Sequence, residues 1–480
     1  MKARSIFSSR SVATVLLLLT AGAPAAHAET LQSALAKAYR SNPTLTGARA
    51  GQRATNENVA IQKSAGRPTA DATGEYQEIV IRPTRSFLAP HRQGTISGGL
   101  NVPIYRGGAV RNGVKAAETR VEAGQANLRG TEASIFSQVV AAYMDVIRDS
   151  AIVSLNQANV RVLDVNLQAS NDRFEVGDLT RTDVAQSESR LALAQSDLQT
   201  AQANLIASRE NYIALVGEAP GTLDPPPLLP GLPATAQDAV RVALADNPDL
   251  VAAKKARAAA RYDVRVAKAG VLPTVSGYGQ GTYTDFLDED LGTNKQVVVG
   301  VTARLPLYQG GLPAAQVRQS QAFESQAMER EIEVERSVIA QTRAAYASWQ
   351  ASLETIESSQ KAVDATSLSL EGVRAENSVG TRTILDILNA EQEALISRVE
   401  LVSARRNAYV AGFSLLAAMG HAEADDLNLE TGALYDPAVD YRRVQRKWSD
   451  WDFGTAPTRQ ATPTVDTPAQ NANVTAQAAQ

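Results

Sequence analysis

The chain has 480 residues, with 47 basic and 51 acidic side chains, three histidines and no cysteine. The missing thiols exclude disulfides, thiolate metal sites and lipid attachment through an N-terminal cysteine. A formal charge of −4 gives no hint of nucleic-acid binding.

Lys2, Arg4 and Arg10 flank the apolar run "VATVLLLLTAGAPAA", which ends in "AHA" before Glu29. Small residues after a short apolar run fit a secretory signal cleaved after Ala28, and the run is too short for a bilayer-spanning anchor. The expected mature chain, with 44 basic and 51 acidic residues, enters or crosses the periplasm of a bacterial cell.

Thereafter the sequence repeats itself. "TLQSALAKAYRSNPTL" from Thr30 answers "TAQDAVRVALADNPDL" from Thr235, aligning Asn42-Pro43 with Asn247-Pro248 at an offset of 205. Further on the offset is 203, and it pairs Tyr105 with Tyr308, Tyr143 with Tyr346, Gly177 with Gly380, Asp183 with Asp386 and Gly217 with Gly420. This period far exceeds that of solenoid repeats, so each half is expected to be a large unit related to the other by pseudo-symmetry.

Thr30 and Thr235 are candidate caps of first helices. Alternating stretches follow: "GTISGGLNVPI" places Ile96, Leu100, Val102 and Ile104 on one face, and "QVVVGVTARLPL" does the same with Val297, Val299, Val301, Ala303 and Leu305. The stretches after Pro68 and Pro273 are also read as strands, although Tyr76 and Tyr278 fall on opposite phases of the repeat. The result is two hairpins, with loops near "RPTRSFLAPHRQ" and "DFLDEDLGTN".

Each last strand runs into a shared phrase, "VPIYRGG" at Val102 to Gly108 and "LPLYQGG" at Leu305 to Gly311. We read these as strand-to-helix joints. Pro103 and Pro306 would break the ladder, while Gly107, Gly108, Gly310 and Gly311 would allow a sharp bend.

No proline then occurs from Gly107 to Ala219 or from Ala314 to Asp436. Val139, Val146, Val153, Val160, Leu167 and Phe174 recur every seven residues, as do Trp349, Ile356, Val363 and Leu370. This is the pattern of a coiled-coil seam. A helix from about Gly108 to about Phe174 would be roughly 100 Å long.

The expected organisation is a signal peptide at 1–28, repeat 1 at 29–219, a proline-rich linker at 220–233 and repeat 2 at 234–430. A C-terminal extension at 431–454 and a disordered polar tail at 455–480 complete it.

Four strands with one apolar face cannot close a barrel, and an open edge in lipid would leave backbone groups unsatisfied. Three chains would supply twelve strands; a soluble antiparallel sheet is the competing reading of the strands alone. The duplicated Asn-Pro, the YxGG joints and the paired phrases "RFEVGDLTRTDV" and "SVGTRTILDILNAEQ" resemble the TolC-type outer-membrane efflux proteins over nearly the whole mature length.

That resemblance implies a mainly α fold with a β-barrel part: a homotrimer with one twelve-stranded barrel in outer-membrane lipid, continued by a coiled-coil tunnel into the periplasm. It implies a passive exit channel for an efflux pump or type I secretion system, partnered by a periplasmic adaptor and an inner-membrane pump. Val176, Gly177, Val379 and Gly380 would form adaptor-docking turns. Asp183, Arg382 and Asp386 would form a gate, with Asp183 meeting Arg382 of a neighbouring chain. The family's constriction tyrosine corresponds here to Asn377, and one of its acidic ring positions to Asn389.

No enzyme is expected. His27, His91 and His421 are scattered, and the "GYGQG" run at Gly277 opens no helix and lacks a phosphate-loop lysine. No metal or cofactor is expected. The alternative from a different class is a soluble periplasmic coiled-coil adaptor or scaffold.

Overall fold

The computed structural model describes residues 28–81, 91–287, 292–427, 429 and 434–474. The expected signal peptide, except Ala28, residues 82–90 and 288–291 of the hairpin loops, and residues 475–480 of the expected disordered tail lie outside the described residues.

The first half runs α1 (Leu31–Ser41), α2 (Pro43–Ser64), β1 (Thr69–Glu78), β2 (Arg92–Arg106), α3 (Ala109–Glu175) and α4 (Arg181–Val216). The second runs α5 (Ala236–Asp246), α6 (Pro248–Lys268), the 3-10 turn η1 (Ala269–Val271), β3 (Thr274–Asp285), β4 (Thr293–Arg304), α7 (Leu312–Ser378) and α8 (Ile384–Met419). A short α9 (Pro437–Val444) follows. Among the described residues, no helix is long and apolar enough to cross a membrane.

The duplicated Asn-Pro is a helix-to-helix corner. Proline occupies the first turn of α2 and α6, where its missing N–H costs no helical bond. Asn42 Oδ1 accepts from the N–H groups of Thr44 (3.0 Å) and Leu45 (3.2 Å), and Asn247 Oδ1 does the same for Asp249 (3.0 Å) and Leu250 (3.2 Å). The two amides also donate to Leu215 O (2.9 Å) and Ala418 O (3.0 Å), at the ends of α4 and α8. One residue thus caps a helix and ties it to its hairpin.

The helices α3 and α7 have 67 residues each, so each reaches about 100 Å. In α3 the heptad residues Val139, Val146 and Val153 are buried, Val160 and Leu167 are half-buried, and Phe174 is exposed. The main core gathers Tyr39, Phe136, Val139, Tyr143, Leu205, Tyr212 and Phe413, where α1, α3, α4 and α8 meet. Tyr143 Oη donates to Glu29 O (2.8 Å) and Asp224 O (2.6 Å), pinning both the start of the described chain and the linker. Its counterpart Tyr346 donates to Ala234 O (2.8 Å).

The strands form one antiparallel sheet ordered β1-β2-β3-β4. Its register repeats the sequence offsets. Thr69 faces Asn101, and moving these by 205 and 203 gives Thr274 and Arg304, which also face each other. Directly opposed residues share a face. One face therefore carries Ala70, Ala72 and Tyr76, then Ile96, Leu100 and Val102, then Gly277, Gly279 and Tyr283, then Val297, Val299, Val301 and Ala303. Tyr278 points to the opposite, polar face, where its ring covers Gly300. This accounts for the opposite phases of Tyr76 and Tyr278.

Two expectations need correction. Pro103 does not end its strand: β2 continues to Arg106, with a register shift between Pro103 and Tyr105. A bulge accommodates a residue that has no N–H to donate. Pro306 does stand beyond its strand, since β4 ends at Arg304. The tail is the second correction. Residues 455–474 form no helix or strand, yet Arg209 on α4 donates to the carbonyls of Asn471 and, at 2.9 Å, of Asn473. Glu210 accepts from Gln470 N (3.0 Å), and Ala472 and Val474 pack on the main core.

Candidate functional site

Three parts of the structure bear on function: the sheet, the joints below it, and the turns at the far end of the long helices. The sheet's strands have 10, 15, 12 and 12 residues. That matches the roughly 9–11 residues a tilted strand needs to cross a bilayer. The apolar face is uncovered, with Val297 and Val299 both 81% exposed, and both sheet edges, β1 and β4, are unpaired among the described residues.

At the joints, Gly107 and Gly310 have φ 61°, and Gly108 and Gly311 have φ 82° and 83° and start α3 and α7. Side chains disfavour this backbone region, so the paired glycines bend strand into helix. The two joints make equivalent contacts: Arg106 donates to Ala65 O (2.9 Å) and Gln309 to Gly270 O (3.2 Å).

At the far turns, Gly177 and Gly380 both have φ 83° and end the long helices. Val176 and Val379 project beside them, 80% and 73% exposed. Thr180 and Thr383 then start α4 and α8 with capping boxes, because Thr-x-x-Asp lets each partner satisfy the other's free N–H. Asp183 Oδ2 accepts from Thr180 N (2.9 Å) and Oγ1 (2.7 Å). Asp386 Oδ2 does the same with Thr383 at 2.9 and 2.7 Å. These bonds hold both carboxyls below the usual carboxylate range, so both are charged at neutral pH.

Arg382 Nε donates to Glu376 Oε2 (2.7 Å), which pushes its pKa up, and Asn377 Nδ2 braces the turn through Arg382 O (2.7 Å). Within one chain, then, Asp183 and Arg382 are not partners. Among the described residues, each keeps unused bonding capacity, at Asp183 Oδ1 and the Arg382 terminal nitrogens. Sequence reasoning missed two contacts nearby. Arg190 on α4 donates to Asn389 Oδ1 on α8 (2.7 Å), linking the two hairpins, and Arg374 pairs with the buried Glu391. Arg190 is half-buried and Arg374 exposed, and the partners of both lie on other helices, so no local pattern announces them.

The profile of the family described as outer membrane efflux protein matches residues 34–218 and 239–421, the two repeats in turn. The chain belongs to the outer membrane efflux protein family. Outer membrane efflux protein BepC of Brucella suis is 36% identical over 426 residues, covering 88% of this chain and 92% of BepC. Alkaline protease secretion protein AprF of Pseudomonas aeruginosa is 27% identical over 317 residues, covering 63% of this chain and 64% of that protein. Among solved structures, the Vibrio cholerae outer membrane protein VceC superposes with a TM-score of 0.71 at 22% identity, covering 81% of this chain and 96% of VceC.

This efflux-family chain is an outer-membrane exit channel that reaches into the periplasm. Family membership decides between the readings left open by the sequence: the strands are channel strands, and the soluble scaffold is set aside. No cluster of His, Asp or Glu able to hold a metal occurs among the described residues.

Proposed function

We propose that three copies of this chain close a twelve-stranded barrel and a continuous tunnel, forming a passive conduit with no catalytic role. A periplasmic adaptor would dock on the Val176-Gly177 and Val379-Gly380 turns and join the conduit to an inner-membrane pump. Efflux is the first reading, after BepC; type I secretion is the second, after AprF.

The observation that carries this reading is the register. Gly98 faces Gly281 across β2 and β3. Applying the repeat offsets, 203 forward and 205 back, gives Val301 of one chain facing Tyr76 of the next. Asn101 and Tyr278 likewise give Arg304 facing Thr73. This seam keeps the apolar set in phase, since Tyr76 and Val301 already lie on the apolar face. One operator thus pairs both free edges, and a ring removes the edge that lipid would not tolerate.

The test uses the absence of native cysteine. Tyr76→Cys with Val301→Cys should oxidise to covalent dimers and trimers in outer membranes, whereas Tyr76→Cys with Val298→Cys should not. Unlinked chains in both variants would refute the seam. A ladder ending above three chains would refute the trimer.

A further inference from the structure

We propose that the segment ending in Trp448, Trp451 and Phe453 is a membrane anchor, seated among the phospholipid headgroups of the outer membrane's inner leaflet. The proposal rests on the chain's placement in the outer membrane and adds a second point of lipid contact outside the barrel.

Height is the first argument. Arg67 lies two residues before β1, at the foot of the sheet. Its Nη1 donates to Lys447 O at 3.0 Å, and its guanidinium lies 4.6 Å from the centre of the Trp448 ring. Trp448 is therefore fixed at the level where lipid-facing strand gives way to periplasmic helix.

Chemistry is the second. Two of the chain's three tryptophans fall within four residues of each other. Trp448, Trp451 and Phe453 are 69%, 84% and 83% exposed, and the Trp451 and Phe453 rings meet edge to face at 6.3 Å. Three large rings in water are unfavourable, whereas tryptophan at a headgroup layer buries its ring and keeps its N–H solvated. Arg442, Arg443, Arg446 and Lys447 precede them, and Arg446 forms no ion pair among the described residues. Arg442, Arg443 and Lys447 are already paired with Asp436, Asp440 and Asp452, so Arg446 is the cation that suits a lipid phosphate.

Side is the third. α9 lies over the seam between α2 and α3: Tyr441 packs with Val59, Ala117 and Val121, and Asn56 Nδ2 donates to Asp440 Oδ2 at 3.0 Å. The segment thus lies on a broad face of the helical wall, away from the free edge of α2 that the neighbouring chain would cover. The broad face outside the tunnel is the one on which the rings do not obstruct the conduit. Gln470 to Asn473, held on α4, tether the segment's far end.

The experiment uses tryptophan emission from purified protein in vesicles of phosphatidylethanolamine and phosphatidylglycerol, with or without bromine on the acyl chain near the headgroup. In Trp349→Phe protein only Trp448 and Trp451 emit. Brominated lipid should quench them by roughly half or more, as expected of interfacial rings. In Trp448→Phe/Trp451→Phe protein only Trp349 emits; it packs beside Tyr346 in the helical bundle and should be unaffected. Vesicle flotation reports barrel insertion separately. Protein that floats but shows no bromine quenching of Trp448 and Trp451 overturns the anchor alone, whether iodide reaches the rings from water or another protein shields them. Protein that does not float overturns the membrane placement and the anchor together.

Discussion

The two halves share their marks but not their surroundings. Val121, Val139, Tyr143 and Val146 of α3 are buried, while α7 buries only Pro313, Val338, Thr342, Ser359 and Leu370 over the same 67-residue length. The joints differ in the same sense. A side chain at Gly107 would meet Ala269 O and Leu272 Cβ, each at 2.9 Å, whereas one at Gly310 would meet nothing within 4 Å. Subtracting the repeat offset from Ala269 and Leu272 gives Ser64 and Arg67. The first half is packed against the second half of its own chain. In the proposed trimer the second half would pack against the first half of the next chain, which would account for its greater exposure.

The joints offer the sharpest way to break that comparison. Both glycines have φ 61°, so valine strains the backbone equally at either position. Gly107→Val adds a clash within the chain and should abolish folded protein, a loss of several kcal/mol. Gly310→Val should leave a chain that is made and exported but assembles poorly, while Gly372→Ala, in open space on α7, should change nothing. Outer-membrane yield and the SDS-resistant trimer band separate these outcomes. Equal loss of both at Gly107 and Gly310 would mean that the halves do not divide intrachain from interchain packing.

The paired tyrosines should show a smaller effect of the same kind. Tyr143 is buried with two carbonyls on its hydroxyl, and Tyr346 is half-buried with one. Tyr143→Phe removes the donor from both carbonyls, of which Glu29 O keeps the Asp224 N–H (3.1 Å), and should cost about 1–3 kcal/mol; Tyr346→Phe should cost about 1 kcal/mol or less. Thermal melts in detergent would read the difference.

Glu132 on α3 sharpens the comparison through pH. Burial pushes its carboxyl up to about 7, and Glu423 and Asp425 push the same way against Arg49 and the Ala424 N–H. Because the folded value lies above the unfolded one, the favourable contribution is complete at acid pH and is lost as pH rises through about 7. Melting temperature should therefore fall between pH 5 and pH 8, and Glu132→Gln should flatten that fall. An unchanged slope in the variant would clear Glu132 of the effect.

Much of this was legible because the determinants are local or duplicated. Threonine and asparagine caps, glycines at positive φ and a strict heptad each act within a few residues, and the repeat let each half check the other. Pro103 misled because a bulge can absorb a proline, which depends on the partner strand. The tail misled because its few contacts with Arg209 and Glu210 come from a helix about 260 residues away. Asp183 was only half legible: its charge was visible, but its engagement with Thr180 was hidden behind the idea of a gate.

That engagement reshapes the smallest expected effect, at the tunnel end, where the halves are most alike. Asp183 and Asp386 both cap their helices, so removing either carboxyl outright would fray α4 or α8 and confuse gating with folding. Asp183→Asn keeps an oxygen for the Thr180 N–H and removes only the charge. The halves differ across the turn, where Arg382 of the second half has its counterpart two positions after Gly177 in the uncharged Leu179, which in the proposed trimer would bring one cation to the acidic cap of a neighbouring chain. Arg382→Ser should raise single-channel conductance in planar bilayers, and Asp183→Asn should raise it to a similar degree. If the two charges meet across the chain boundary, either change breaks the same contact, and the double variant should exceed the single ones by less than their sum. Exposed ion pairs are weak and screened by salt, so the increase should shrink as salt concentration rises. Simple additivity would mean that the two charges act on the pore separately, leaving Arg382 paired with Glu376 of its own chain.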